Sequence, residues 1–440
     1  MRARRPAGLA ASPGVSHRVG QYRLPADVAA RVHAGHPWVF REALGPRGVA
    51  EPTGTVVELV SGNREFVARG YVDRDHAVAV RILSRGPGTP VFPGAGTIAE
   101  RFARAVQMRW VLFAPGGRPS AMRLFSGDSE GLPGVNVDRF GDFVVVQWLS
   151  GGALPWRDEL LDAIEGTVRP AGIYEQRRTR PLSGQGAPEP AVRARGEEAP
   201  LEVVVHERVG PGRGVETAGV AGSPAGAGEP AGDCAFGVDV TAPLGVGLFP
   251  DLRLGRAAVA AHARNRRVLN LFSYTGAFSV AAARAGAAEV VAVDLAAKNH
   301  ARARRNYQLS GLEPERMEGI AADAGKTLEK LATRGRRFDL VICDPPSFSQ
   351  GPAGHFSVSK DLARLAALSL GVLEQGGLLA FATNSVKVSA LELDRALAEG
   401  AAKVETELRI VERVGLPADY PVAPGFPEGN YLKLVVGIKV

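Results

Sequence analysis

Two corners of the sequence bring together residue types that could do chemistry. The turn Asn270-Leu271-Phe272-Ser273-Tyr274-Thr275-Gly276 ends one apolar run, and Asp294 closes the next. A glycine at a strand-to-helix corner lets the backbone pass close to a ligand, and the helix that follows presents unpaired N–H groups there. A carboxylate about twenty residues further on, at the end of the neighbouring strand, can accept both hydroxyl protons of a ribose. That pair predicts a nucleotide-like ligand. Asp323 follows a third run and is expected to face the base of that ligand. The second corner is Asp344-Pro345-Pro346-Ser347-Phe348, directly after the apolar residues 340–343. Two prolines fix φ and remove N–H donors, which keeps the chain extended over the strand ends, while Asp344 supplies an acceptor and Phe348 a stacking face. A second flat ring could be held there.

The elements that must position these residues are legible from hydrophobic pattern. Between Arg256 and Val440, the runs 268–272, 290–294, 320–322, 338–343 and 377–383 are short and apolar, with helical segments between them. Strands that are apolar on both faces and alternate with helices specify a doubly wound, mainly parallel α/β sheet of the Rossmann type. Upstream, residues 20–90 hold short strand-like runs such as 55–60 and 77–83, broken by Gly and Asp turns, and predict a small β-rich domain. A central α+β segment, 97–255, carries a helix from Ile98 to about Phe113, a strand over 143–149 and a helix from about Leu154 to Gly166. Its runs 201–209 and 235–241 alternate well enough to pair as a hairpin. Residues 1–19 lack periodicity and are expected to be a disordered tail. Residues 210–233, almost all Gly, Ala and Pro, are expected to be a flexible loop.

Length and charge bound the class. A chain of 440 residues exceeds one ordinary core, so two or three domains are expected. The net charge of +7, from 53 Lys+Arg against 46 Asp+Glu, favours a polyanionic partner, although arginine used everywhere as the solvated cation would give the same balance. Cys234 and Cys343 are too few for a disulfide framework or a Cys-based zinc site, and no metal is expected. No run of eighteen apolar residues occurs and the N-terminus lacks the apolar stretch of a signal peptide, so a cytoplasmic protein without a membrane partner is expected.

The sequence resembles the large-subunit ribosomal RNA methyltransferases that join an N-terminal PUA RNA-binding domain to a Rossmann methyltransferase domain, the family of the enzyme that makes 5-methylcytosine in 23S rRNA. The likeness runs from about Tyr22 to Val440 without 210–233. His36-Pro37-Trp38-Val39-Phe40 and Ala68-Arg69-Gly70 match its PUA signatures, and residues 127–141 its central segment. Residues 270–278 and 344–348 match its cofactor and base-site motifs, and Pro427-Glu428-Gly429-Asn430-Tyr431-Leu432-Lys433 its closing strand. The resemblance implies an S-adenosylmethionine-dependent methyltransferase acting on a base of 23S rRNA. It places Asn270, Phe272, Tyr274, Thr275, Gly276, Asp294 and Asp323 around the cofactor, with Asp251 and Arg253 as a D-x-R segment beside the pocket. Asp344, Pro345, Pro346 and Phe348 would close the site on the base, and Lys360 of a Lys-Asp pair would meet a phosphate. Arg31, His36 and Arg69 are the RNA-binding candidates of the first domain, though His36 beside Pro37 and Trp38 fits a packed aromatic corner better.

One departure bears on mechanism. Cytosine C5 is not nucleophilic enough to attack a sulfonium unaided, and enzymes of that chemistry first add a Cys thiolate to C6. Where the family carries Ser-Cys-Ser, this sequence reads Thr383-Asn384-Ser385. Cys343 is expected to be a buried, inert thiol, and Cys234 borders the 210–233 segment. Asn384 is similar to the Ser-Asn-Asn run of the related guanine-N7 rRNA methyltransferases, where the ring nitrogen needs only positioning. Non-covalent transfer to a purine nitrogen and transfer to cytosine C5 therefore both stand, the first favoured. Outside enzymes, the alternative is a non-catalytic RNA-binding or ribosome-assembly protein that kept the fold. A second departure is Leu244-Gly245-Val246-Gly247-Leu248-Phe249, where the family has Lys or Gln before Thr-Gly.

Overall fold

The computed structural model describes residues 20–45, 48–86, 95–113, 117–179, 189–208, 233–346, 348–351 and 354–440. The expectations for 1–19 and for nearly all of 210–233 lie outside these residues, and at Phe348 and Lys360 only the backbone is described.

The first sheet contains β1 (Gln21–Arg23), β2 (Trp38–Phe40), β3 (Val56–Val60), β4 (Phe66–Val72) and β5 (Val78–Ser84), in the order β1-β3-β4-β5-β2. Helix α1 (Ala26–His33), which the strand-rich pattern does not announce, covers it by burying Val28, Ala29 and Val32. That spacing is one helical face, and Pro25 sets the entry because it lacks the N–H that the first turn leaves unused. A long helix α2 (Ala95–Phe113) leads to β6 (Ala121–Ser126), the single turn α3 (Gly127–Glu130), β7 (Val135–Phe140), β8 (Phe143–Trp148), α4 (Arg157–Val168), β9 (Gly172–Arg177) and β10 (Val192–Gly196). These strands form a second sheet, β10-β9-β8-β7-β6. Helix α4 starts later than the expected Leu154, because Pro155 sits in a 3-10 turn before it.

The expected hairpin forms between β11 (Val203–Arg208) and β12 (Asp233–Val238). Val203, Val205 and Glu207 alternate into the interior, where Glu207 accepts two hydrogen bonds from Arg256 at 2.8 and 2.6 Å. Such a pair is tolerated in a dry core because each partner satisfies the other. The hairpin thus packs with the elements that follow: α5 (Arg253–Ala261), β13 (Arg267–Leu271), α6 (Ala277–Arg284), β14 (Glu289–Asp294), α7 (Ala297–Leu309), β15 (Met317–Ala321), α8 (Ala324–Thr333) and β16 (Phe338–Cys343). A small ribbon of β17 (Phe348–Gly351) and β18 (Gly354–Ser357) precedes α9 (Val358–Gly371), β19 (Leu373–Thr383), α10 (Ala390–Ala402), β20 (Leu408–Val414) and β21 (Lys433–Lys439).

The third sheet has the order β15-β14-β13-β16-β19-β21-β20. It is parallel from β15 to β19, and β21 runs antiparallel to both neighbours. Val268, Leu269, Leu271, Val291, Val293, Leu340 and Val341 are all excluded from solvent, which explains why those strands read as continuous apolar runs. Each such side chain contributes roughly 1.5–3 kcal/mol by leaving water. The expected closing strand 427–433 is corrected: Pro427–Gly429 is a 3-10 turn, and β21 begins only at Lys433, since Pro427 has no N–H to give a ladder.

Between β20 and β21 the chain leaves the third sheet and crosses the other two. Asp419 is fully buried there, accepting from Arg253 at 2.7 Å and from the Arg123 backbone N–H at 2.9 Å, while its carbonyl takes Arg109 at 2.9 Å.

Candidate active site

Asp294 ends β14, and the corner after β13 folds around it. Phe272, Tyr274 and Gly276 all have positive φ, at 54°, 48° and 75°. Two non-glycine residues in that region are strained, and such strain persists where the surroundings over-determine it. The alternating conformation curls the backbone into a concave surface lined by N–H groups. Tyr274 N–H donates to Asp294 Oδ2 at 2.8 Å, and Ala296 N–H and the Asn299 amide donate to Oδ1, both at 2.9 Å. Three of its roughly four acceptor positions are thereby filled, which holds the carboxylate still and leaves about one, on Oδ2, for a ligand hydroxyl. A side chain at Gly276 is blocked twice, by φ and by Ala303 of α7, whose Cβ would lie 2.7 Å from a new Cβ.

The segment 244–249 is tied over this corner through its backbone. Tyr274 Oη donates to the Gly245 carbonyl at 3.0 Å, Thr275 Oγ1 to the Gly247 carbonyl at 2.5 Å, and Arg302 to the Val246 carbonyl at 2.8 Å. Because these acceptors are main-chain, the segment can be placed without the side chains the family pattern has there. Phe249 stays 46% exposed, its ring 5.3 Å from that of Tyr274. Leu295, directly after Asp294, is 61% exposed. Both are apolar surface at the mouth of the corner that sequence patterning did not single out.

Register fixes how the two corners relate. Leu271 of β13 pairs with Val293 on one side and Cys343 on the other, so Asp294 and Asp344 each lie one residue beyond a neighbour of the same strand. Both carboxylates are at the carboxyl edge, flanking β13, two strand spacings or roughly 10 Å apart along the backbone. Cys343 in turn pairs with Phe381, which brings Thr383 and the exposed Asn384 to that edge as well. Pro345 is buried and Pro346 exposed, which keeps the chain over the strand ends as their ring geometry predicts.

Asp251 faces the Asp344 corner. Tyr431 Oη donates to Asp251 Oδ2 at 2.8 Å, while Oδ1 is buried with no hydrogen-bond partner among the described residues. Burial raises the Asp251 carboxyl above its usual range, and the Tyr431 hydrogen bond opposes that. Burial, then the charge of Asp251, push Asp344 up to about 7 against the pull of Arg256. A buried carboxylate oxygen left without a donor costs free energy unless a ligand supplies one. Cys343 is fully buried, and burial and then Asp344 hold its thiol well above the ordinary range. Cys234 is buried too, its thiol pushed up to about 12 by burial and Glu207. Neither is available as a thiolate at neutral pH.

Several expected contacts are redirected by the fold. Asn270 is 1% exposed and donates to Ser279 Oγ at 2.9 Å, so it pins β13 to α6 rather than reaching the edge. Thr275 is buried and acts through Gly247. Arg253, within the D-x-R segment, is buried against Asp419 and the Phe113 ring, so it joins sheets instead of lining the pocket. Asp323 caps α8, taking the Lys326 N–H at 2.9 Å on Oδ1. In the first sheet, His36 is 3% exposed, lies 3.2 Å from Glu428 and stands edge-on to Trp38 and Phe426, so the packed corner replaces an RNA contact. Arg69 is engaged by Glu58 at 2.9 Å and lies over Phe66. Arg31 is exposed on α1.

Comparison with known proteins adds two matches. The profile of S-adenosylmethionine-dependent methyltransferases covers residues 204–429, more than half of the chain. The chain belongs to this family. The match begins within the β11–β12 hairpin, in keeping with its packing against the third sheet. A PUA-like domain profile covers 23–85, which spans α1 and all of the first sheet except the start of β1. The chain is 29% identical over 400 residues to ribosomal RNA large subunit methyltransferase I of Photobacterium profundum, covering 90% of this chain and 94% of that one. For the protein of the same name from Escherichia coli O139:H28 the identity is 28% over 399 residues, covering 90% and 94%. Among solved structures, SMU.776, assigned as a methyltransferase and complexed with S-adenosylhomocysteine, shares the fold with a TM-score of 0.80 at 24% identity, covering 96% of this chain and 100% of that one. A chain assigned as a methyltransferase of Streptococcus mutans gives 0.79 at the same identity and coverage.

Tyr431 is a candidate site residue that sequence reasoning missed. It lies inside the closing motif, but its partner Asp251 is 180 residues away.

Proposed function

We propose that the protein methylates a base of large-subunit (23S) ribosomal RNA in the cytoplasm, at a purine nitrogen and without a covalent bond between enzyme and RNA. When bound, S-adenosylmethionine supplies an electrophilic methyl group on a sulfonium. The residues present fit that ligand. Asp294 would accept from a ribose hydroxyl through Oδ2, and the N–H groups of the 272–276 corner with Tyr274, Phe272 and Gly276 would line the adjoining wall. The unpartnered Oδ1 of Asp251 suits the ligand's ammonium, because a cation offsets the burial of a carboxylate. Asp323 remains a candidate at the base through the carboxylate oxygen that does not cap α8.

The observation that carries the reading is the placement of Asp294 and Asp344 on one edge, flanking β13, with no reactive thiol beside them. Asp344, titrating near neutrality, can accept a proton or a hydrogen bond from an amine of the target ring. Asn384 can pair with a ring's polar edge, and Pro345 and Pro346, with Phe348 at the start of β17, would border a flat base. An in-plane ring nitrogen needs only such positioning. The names of the 28–29% identical relatives support RNA as the substrate class. A PUA-like domain would grip structured RNA by shape and phosphates and leave one extruded base to the catalytic edge, with Arg31 and Lys360 as phosphate candidates.

The test is incubation with S-adenosylmethionine and 23S rRNA fragments, followed by mass spectrometry of the nucleosides. A methylated purine is expected, with binding that weakens steeply as salt rises. Formation of 5-methylcytosine would overturn the non-covalent reading. A protein that neither transfers methyl nor binds S-adenosylhomocysteine would be the RNA-binding assembly factor instead.

A further inference from the structure

The link between β20 and β21 touches the first two sheets and then reaches Asp251 and the 383–385 turn. Phe426 packs edge-on against Trp38 at 4.6 Å between ring centroids, and Glu428 meets His36, both in the PUA-like domain. Ala423 N–H donates to Ser129 Oγ at 3.2 Å, and Arg123 of β6 lies over the Tyr420 ring at 4.6 Å, which ties the link to the central sheet. Its last residues then enter the catalytic edge. Tyr431 lies two residues before Lys433, where β21 begins, and packs against the same core cluster as Leu432 and Leu434. Tyr431 Oη holds Asp251 at 2.8 Å. Lys433 pairs with Thr383 in the sheet, and its ammonium donates to the Ser385 carbonyl at 3.1 Å and the Tyr431 carbonyl at 3.0 Å. Asn384 is thus bracketed by two residues, Thr383 and Ser385, that Lys433 fixes.

We propose that Tyr431 and Lys433 are positioning residues for methyl transfer. Tyr431 fixes the Asp251 carboxylate so that Oδ1 stays without a protein donor, and Lys433 fixes the 383–385 turn that presents Asn384. The two walls of the site are set from one strand entry, and that entry is anchored through Phe426 and Glu428 on the RNA-binding domain. This rests on the proposed function: the Tyr431 half on Asp251 meeting the cofactor's ammonium, the Lys433 half on methyl transfer to a base.

The experiment uses the full chain and measures S-adenosylhomocysteine affinity by calorimetry and the single-turnover transfer rate on a 23S fragment. Tyr431→Phe is expected to weaken S-adenosylhomocysteine about tenfold, the size of one charge-assisted hydrogen bond. In a cycle with Asp251→Asn, the second substitution should add little, since one acts through the other. Lys433→Met is expected to lower the saturating transfer rate about tenfold with cofactor affinity unchanged, and Lys433→Arg to recover part of the rate. Losses from Tyr431→Phe and Asp251→Asn that simply add, or unchanged affinity in Tyr431→Phe, would overturn the first half. A Lys433→Met enzyme that melts earlier yet transfers at the full rate would overturn the second. If the wild type transfers no methyl to any fragment, the substrate assignment falls, while the calorimetric cycle still decides Tyr431.

Discussion

The two acidic corners of the catalytic edge sit a strand apart on either side of β13 and are built in opposite ways. Asp294 is ringed by donors, two backbone N–H groups and an amide, that come from its own strand end, from the next helix and from the turn after β13. Asp344 instead faces burial and a second carboxylate, Asp251, and its carboxyl is pushed up to about 7. A carboxylate surrounded by fixed donors is a rigid acceptor, suited to holding a ligand in place. One surrounded by apolar groups and like charge is suited to exchanging a proton. On the proposed reading, the same residue type would serve binding in one corner and chemistry in the other.

The largest effect that would break this contrast concerns Asp344. Asp344→Asn should lower the transfer rate by roughly 10²–10⁴, the usual range for a lost proton acceptor, while S-adenosylhomocysteine binding measured by calorimetry stays within about twofold. An equal loss of rate and affinity would make both corners binding sites. Asp294→Ala should do the reverse and weaken S-adenosylhomocysteine roughly 10–100-fold, since it removes charge-assisted bonds and frees the Tyr274 turn. Next in size is the pH dependence. The wild-type transfer rate should rise through an acid limb near pH 7 as Asp344 loses its proton, and Asp344→Asn should lack that limb. Stability carries the opposite sign. An acid whose folded value is raised from 3.8 to about 7 binds more protons folded than unfolded, so stability is lost as pH rises across that window. Melting of the wild type should therefore fall relative to Asp344→Asn between pH 4 and about pH 7, a shift scanning calorimetry can read. The smallest effect is expected at Cys343→Ala, which should leave transfer within about twofold because the buried thiol stays protonated and cannot act as a nucleophile. Abolished transfer with cofactor affinity intact would restore a covalent route.

Much of the third sheet was legible in advance because strands buried on both faces must be apolar throughout, and each expected run corresponds to a strand. Only the ends move: 377–383 extends back to Leu373, and 427–433 resolves into a turn before β21. Helix α1 escaped notice because eight residues with three buried positions give too short a period to stand out from the strands around it. At the carboxyl edge, Asp294 and Asp344 could be placed from sequence because the first ends its own strand and the second follows its own directly.

The sequence by itself determined the parallel sheet, the edge at which its acidic residues gather and the absence of a thiol in the 383–385 turn, since all three depend on local pattern and residue identity. The tertiary structure decided which matched residues face that edge. Asn270 turned inward to Ser279, Arg253 went to Asp419, His36 to Glu428 and Phe426, and Tyr431 reached Asp251. The physical reason is that a polar side chain finds its partner through burial and distance, and most of these partners lie more than a hundred residues away, where no periodicity records them.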